Sequence, residues 1–170
     1  MAESVIVDSS SSKELLQLVI CQLSNEEFGI EISRVKEIIR IPSITKIPQV
    51  PSYVEGIINL RGSIIPIINL AAKFNLAHEE MSDDSRIMVV EIGNMVAGMV
   101  VDSVTEVLRI SSENIEPAPE VIASKITERY IQGVGKIDDR LLILLDIDKI
   151  FTQEQKAQIG RLENAGPIPA

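Results

Sequence analysis

The sequence predicts a mainly β protein: two small barrel lobes produced by an internal duplication, followed by a short C-terminal helix. Three observations carry this. Hydrophobic residues make up 45% of the 170 residues while aromatics make up 3%, with no Trp. The core must therefore be aliphatic, and richness in Ile, Val and Leu favours strands. From Glu14 onward short apolar runs alternate with turn signals about every ten residues, the rhythm of a β protein. The chain also repeats itself.

Residues 17–41 align without gaps on 86–110, with identities at Asn25/Asn94, Gly29/Gly98, Val35/Val104, Glu37/Glu106, Arg40/Arg109 and Ile41/Ile110. Average residue usage gives about one or two identities by chance over such a window. Residues 53–74 align likewise on 130–151, with Tyr53/Tyr130, Gly56/Gly133 and Phe74/Phe151 identical and apolar positions matched to apolar. Both matches run in the same order, which identifies a duplication. Each copy, about 65–70 residues, is too small to bury much surface alone. Curling four or five short strands into a barrel removes the exposed edges, and a groove between two such lobes is a natural binding site. Whether a barrel uses one copy or exchanges strands with the other is open at this level.

In order along the chain, residues 1–13 read as a disordered Ser-rich leader, 14–82 as the first lobe, 83–151 as the second and 152–170 as a short helix with a frayed tail. Asn25-Glu26-Glu27 and Gly93-Asn94 are hairpin turns. Pro42, Pro48, Pro51, Pro117 and Pro119 mark extended connections where ladder pairing is interrupted. His78 to Ser85 is an exposed acidic linker, Asp138-Asp139 a turn, and Thr152-Gln153-Glu154-Gln155 a capping box that starts the helix.

The formal net charge of −9 argues against nucleic acid or anionic lipid as a partner. Apolar stretches such as Leu141–Leu145 are too short to span a bilayer. Cys21 lies in the apolar run Leu18-Val19-Ile20-Cys21 and reads as a buried structural thiol. With no signal peptide ahead of it, a cytoplasmic location is expected. His78 is the only histidine and sits in the acidic loop, without partners for metal ligation or base catalysis. Asp146 and Asp148 alternate onto one strand face, where a divalent-metal site is conceivable, although a strand end entering the capped helix explains them better. No Walker loop, dinucleotide fingerprint or nucleophile elbow is present. The chemistry therefore points to binding, with no catalytic residues and no cofactor.

The segment Val54-Glu55-Gly56-Ile57-Ile58-Asn59-Leu60-Arg61-Gly62-Ser63-Ile64-Ile65-Pro66-Ile67-Ile68-Asn69-Leu70 closely resembles the signature of the bacterial chemotaxis coupling family, CheW. The resemblance runs from about Leu15 to Phe151 and includes Phe28-Gly29-Ile30, Val35-Lys36-Glu37-Ile38, Gly98-Met99-Val100-Val101-Asp102 and Pro117-Ala118-Pro119-Glu120. It implies two SH3-like five-stranded barrels that hold the histidine kinase CheA, through its regulatory domain, onto transmembrane chemoreceptors, in arrays under the cytoplasmic (inner) membrane. It further implies that the helical-hairpin tip of a methyl-accepting receptor packs between the barrels against Val35, Glu37, Arg61, Val104 and Val107. The kinase regulatory domain would dock end-on near Ile44, Gly56 and Ile65. With no kinase, phosphotransfer or receiver segment in the sequence, the stand-alone coupler is the expected member.

Comparing the copies weighs these residues. Arg61 aligns with Asp138, so the turn does not require an arginine. The Val35/Val104 and Glu37/Glu106 identities are compatible with shared packing or with shared binding. Gly56 and Gly133 read as backbone requirements. The alternative reading is a stand-alone regulatory barrel domain with a single protein or ligand partner.

Overall fold

The computed structural model describes residues 15–76, 80–117 and 130–165. The expected leader at 1–13, His78, Pro119 and the tail beyond residue 165 lie outside these. Eleven strands and two α-helices are present among the described residues: β1 (Leu15–Leu23), β2 (Glu26–Glu31), β3 (Val35–Arg40), β4 (Val54–Leu60), β5 (Ser63–Asn69), α1 (Leu70–Lys73), β6 (Arg86–Ile92), β7 (Met95–Val101), β8 (Ser103–Ser111), β9 (Ile115–Glu116), β10 (Ile131–Ile137), β11 (Arg140–Leu145) and α2 (Gln153–Ala165). None of the described helices is long and apolar enough to cross a membrane.

The strands form two sheets, in the orders β8-β1-β2-β11-β10-β9 and β3-β6-β7-β5-β4. Each sheet combines the first hairpin of one copy with the later strands of the other. The expected lobe bounds, 14–82 and 83–151, thus mark the repeat units and not the sheets, and the strand exchange left open by the sequence is what the topology displays. The foreign hairpin enters each sheet by a parallel contact, β11 on β2 (Ile143 opposite Phe28) and β5 on β7 (Ile67 opposite Gly98).

Side-chain alternation explains the exchange. On β1, Leu18 and Ile20 point into the six-stranded lobe, while Val19, Cys21 and Leu23 point into a central core between the lobes. On β6, Ile87 and Val89 point into the five-stranded lobe while Met88, Val90 and Ile92 join the same central core. A strand buried on both faces is necessarily apolar throughout, as these runs are. The repeated glycines follow from the same crowding. A Cβ on Gly98 would stand 2.6 Å from Ile87 Cγ2, and one on Gly56 would stand 2.1 Å from the Thr45 carbonyl oxygen.

All five aromatic rings of the chain meet where the copies join, in the contacts Phe28–Phe74, Phe74–Tyr130 and Tyr53–Phe151 at centroid separations of 6.2, 5.4 and 5.9 Å. Lys73, buried, lies among them. Its ammonium donates to the Tyr130 hydroxyl at 2.8 Å and sits 4.7–5.5 Å from the centroids of Tyr130, Tyr53 and Phe151. Ring faces and one hydroxyl offset the desolvation of the charge.

The hairpin turn expected at Gly93 has positive φ there, while the one expected at Asn25-Glu26-Glu27 lies one residue earlier, at Ser24-Asn25 with positive φ at both, because Glu26 and Glu27 already pair in β2. Arg61 and Asp138 occupy the same place in their hairpins with φ of 51° and 52°, so the turn conformation is indifferent to the arginine. The capping box forms as expected: Gln155 N–H donates to Thr152 Oγ1 at 3.1 Å, and Thr152 N–H to Gln155 Oε1 at 2.9 Å. Helix α2 then buries Ile159 in the central core. Asn69 and Asp146, which align in the repeat, both cap short helical turns, accepting from Ala72 N–H and Asp148 N–H.

Two glycine substitutions should separate contact from propensity. Gly56→Ala, forced against Thr45 at a φ of +147°, should lower unfolding free energy by about 3 kcal/mol. Gly160→Ala, on an open helix face, should raise it by about 0.5–1 kcal/mol. Urea denaturation of the two variants measures both.

Candidate functional site

The edge strands β3 and β8 are equivalent in the duplication and end the two sheets. Directly opposed residues of an antiparallel pair share a face. Ile38 is opposite Met88 and Val107 is opposite Val19, and both partners belong to the central core. The exposed faces of β3 and β8 are therefore continuations of the sheet faces that form the core between the lobes. Val35 and Val104 are half-buried against that core. Val107, 49% exposed, lies outside it.

Glu37 and Arg61 face elsewhere. A bulge between Val35 and Glu37 shifts the register of β3, and Glu37 stands opposite Val89, an interior residue of the five-stranded lobe. There Glu37 pairs with the exposed Arg61 guanidinium from the β4–β5 turn. The pair rims a cleft of about 500 Å³ at the mouth of the lobe, floored by Leu60, Ile65, Val89 and Val96. The structure thus places the five residues in two adjoining patches, Val35, Val104 and Val107 on the central face and Glu37 with Arg61 at the mouth, joined through β3.

The equivalent mouth of the other lobe carries a different arginine. Arg140, which aligns with Ser63, donates to both oxygens of Glu27 at 3.1 and 2.7 Å and to Glu106 at 2.7 Å. These two carboxylates raise the guanidinium's pKa further above its ordinary value. Glu37 and Glu106 therefore both hold an arginine, but from different positions of the hairpin. Sequence comparison missed Arg140; the Ser63/Arg140 difference in the repeat was the available signal.

Of the residues assigned to kinase docking, Ile65 is 4% exposed and packs inside the five-stranded lobe, with the half-buried Ile44 against the same cluster. Gly56 is buried beneath Thr45, which bridges to Ile57 by backbone hydrogen bonds at 2.9 Å in each direction. Their position is the end of the barrel wall, where Ile44 is the side chain that reaches the surface.

Asp146 and Asp148 are otherwise engaged. Arg34 donates to Asp148 Oδ2 at 2.9 Å and also reaches Oδ1, and donates to the Glu91 carbonyl at 3.0 Å. This guanidinium holds the Asp148 carboxyl below the usual carboxylate range, while Asp146 serves as the turn cap. No cluster of three metal-ligating side chains occurs among the described residues. Cys21 is buried in the central core, and burial, reinforced by the Asp102 carboxylate, pushes its thiol up to about 12.

Comparison with known proteins places this architecture. The CheW-like domain family matches residues 17–155. A chemotaxis protein CheW of Klebsiella aerogenes is 39% identical over 146 residues, covering 86% of this chain and 87% of that one. Its counterpart in Helicobacter pylori is 35% identical over 143 residues, 84% of this chain and 86% of the other. Among solved structures, the scaffolding protein TtCheW from Thermoanaerobacter tengcongensis is similar with a TM-score of 0.76 at 39% identity, over 84% of this chain and 91% of that one.

Two outcomes follow from the site chemistry. Cys21 should resist Ellman's reagent at pH 8 in the native protein and react at once in denaturant; rapid native reaction would contradict its burial. A carboxylate with a depressed folded pKa contributes stability that is present above its unfolded pKa and is lost as pH falls through the folded value. Asp148→Asn should therefore cost up to about 1 kcal/mol at pH 7, limited by solvent screening of a half-exposed pair, and the cost should shrink as pH falls below ~4. Denaturation midpoints measured at pH 7 and at pH 3 test this.

Proposed function

The chain belongs to the CheW-like domain family of scaffolding proteins, which are adaptors and not enzymes, and from that premise we propose that it couples a CheA-type histidine kinase to chemoreceptors by binding both. The observation that carries this reading is the presence of two adjoining surfaces of different character on one rigid body. The central face offers an apolar strip from both lobes at Val35, Val104 and Val107, bordered by the Glu37–Arg61 ion pair. The receptor's helical-hairpin tip seats there, with the strip supplying contact area and the charges setting orientation. The end of the five-stranded lobe near Ile44, backed by Gly56 and Ile65, receives the kinase regulatory domain. Because Glu37, Arg61 and Ile65 line one cleft, the two surfaces share a wall.

Transient signalling contacts are often small and individually weak, and an array under the cytoplasmic membrane raises their effective concentration. The coupler needs no catalytic group, because joining two partners is the whole of its chemistry.

Co-precipitation with the purified kinase and with a receptor signalling fragment tests the reading directly. The protein should capture each and, when all three are mixed, hold both at once. Mutual displacement from a single surface would favour a regulatory domain with one partner instead. Arg61→Glu places like charges at the rim and should weaken receptor capture by about tenfold with no change in Tm. A large loss of Tm would make the arginine structural.

A further inference from the structure

An exposed residue repeated in both copies needs an explanation other than packing, and Arg40 and Arg109 are such a pair. They align in the duplication and both are exposed. Each follows an exposed apolar residue by two positions, Ile38 at 40% and Val107 at 49% exposure. Arg40 stands opposite Arg86 and Arg109 opposite Gln17. Two-residue spacing therefore puts each arginine on the same strand face as Ile38 or Val107, the face that continues the central core.

Neither guanidinium has a hydrogen bond or ion pair among the described residues, although the chain carries 25 acidic residues and a net charge of −9. The acidic neighbours on these strands are already taken: Glu37 by Arg61 and Glu106 by Arg140. On the β3 side the positive charge is reinforced, because Arg40 and Arg86 are directly opposed. Like charges in that arrangement cost a sheet stability, and nothing within the described residues compensates Arg40. An external anion would.

We propose that Ile38–Arg40 and Val107–Arg109 form a duplicated clamp in which each arginine receives a carboxylate from a helical hairpin seated between the lobes. This rests on the receptor reading above and extends it: the partner presents an acidic side chain on each flank of its apolar strip. Planar guanidinium matches carboxylate geometry in two parallel hydrogen bonds. The apolar residue beside each arginine lowers the local dielectric and strengthens them.

The test uses the full chain, a soluble receptor signalling fragment and the kinase regulatory domain, with affinities read by fluorescence anisotropy at low and high salt. Arg40→Gln and Arg109→Gln should each weaken receptor binding about tenfold, and the double variant further, as expected for charge-assisted hydrogen bonds. The double variant should also show a weaker salt dependence than the wild type and keep its kinase-domain affinity and Tm. Wild-type binding to the receptor fragment with no loss in the double variant would overturn the clamp alone. Equal loss of kinase-domain and receptor binding would overturn it too, since it would mark a global effect. Absence of any wild-type binding to the receptor fragment would overturn the receptor reading and the clamp with it.

Discussion

Strands β1, β6 and β7 carry apolar side chains on both faces, β2 turns Phe28 and Ile30 into the central core, and each hairpin is shared between the interior of one lobe and the core common to both. That double burial constrains the rest of the molecule. Neither lobe is complete with its own copy, so the lobes cannot separate without opening both barrels. The aromatic rings and Lys73 sit at this junction, and the Lys73–Tyr130 hydrogen bond runs from one copy to the other. The result is a rigid body in which surfaces on different lobes keep a fixed relation, which is what a bridging protein requires.

Duplication leaves a molecule free to differentiate one copy against the other. Both lobes retain a glutamate at the same edge-strand position, yet one pairs it with a turn arginine beside a cleft, while the other pairs it with Arg140, which Glu27 also holds. Val96 and Ser63 stand in one lobe where Glu27 and Arg140 stand in its twin. A protein with two different partners benefits from such divergence, because identical mouths would compete for the same ligand.

The same divergence appears around the helical turns. Asn69 and Asp146 perform equivalent caps, but only Asp146 is followed by a carboxylate that anchors Arg34 across the duplication. A pair of alternating aspartates that resembles a metal site in one dimension is, in three, a cap and an ion pair.

The sequence by itself determined the β class, the duplication, the hairpin turns at Asn25 and Gly93, the capping box at Thr152, the buried thiol and the family. Each of these is local or periodic, and a linear pattern records it. It also separated Arg61 from the turn that holds it, since Asp138 takes the same place in the other copy. Only the tertiary structure decided which hairpin joined which lobe, because a strand apolar on both faces fits either sheet equally well. Only the fold turned Glu37 away from Val35, through a bulge that reverses the expected alternation. Ile65 reads as a surface contact in one dimension and is interior in three. Arg140 could not be paired with Glu27 and Glu106 until β2, β8 and β11 were brought into one lobe: a contact across 113 residues leaves no trace in local spacing.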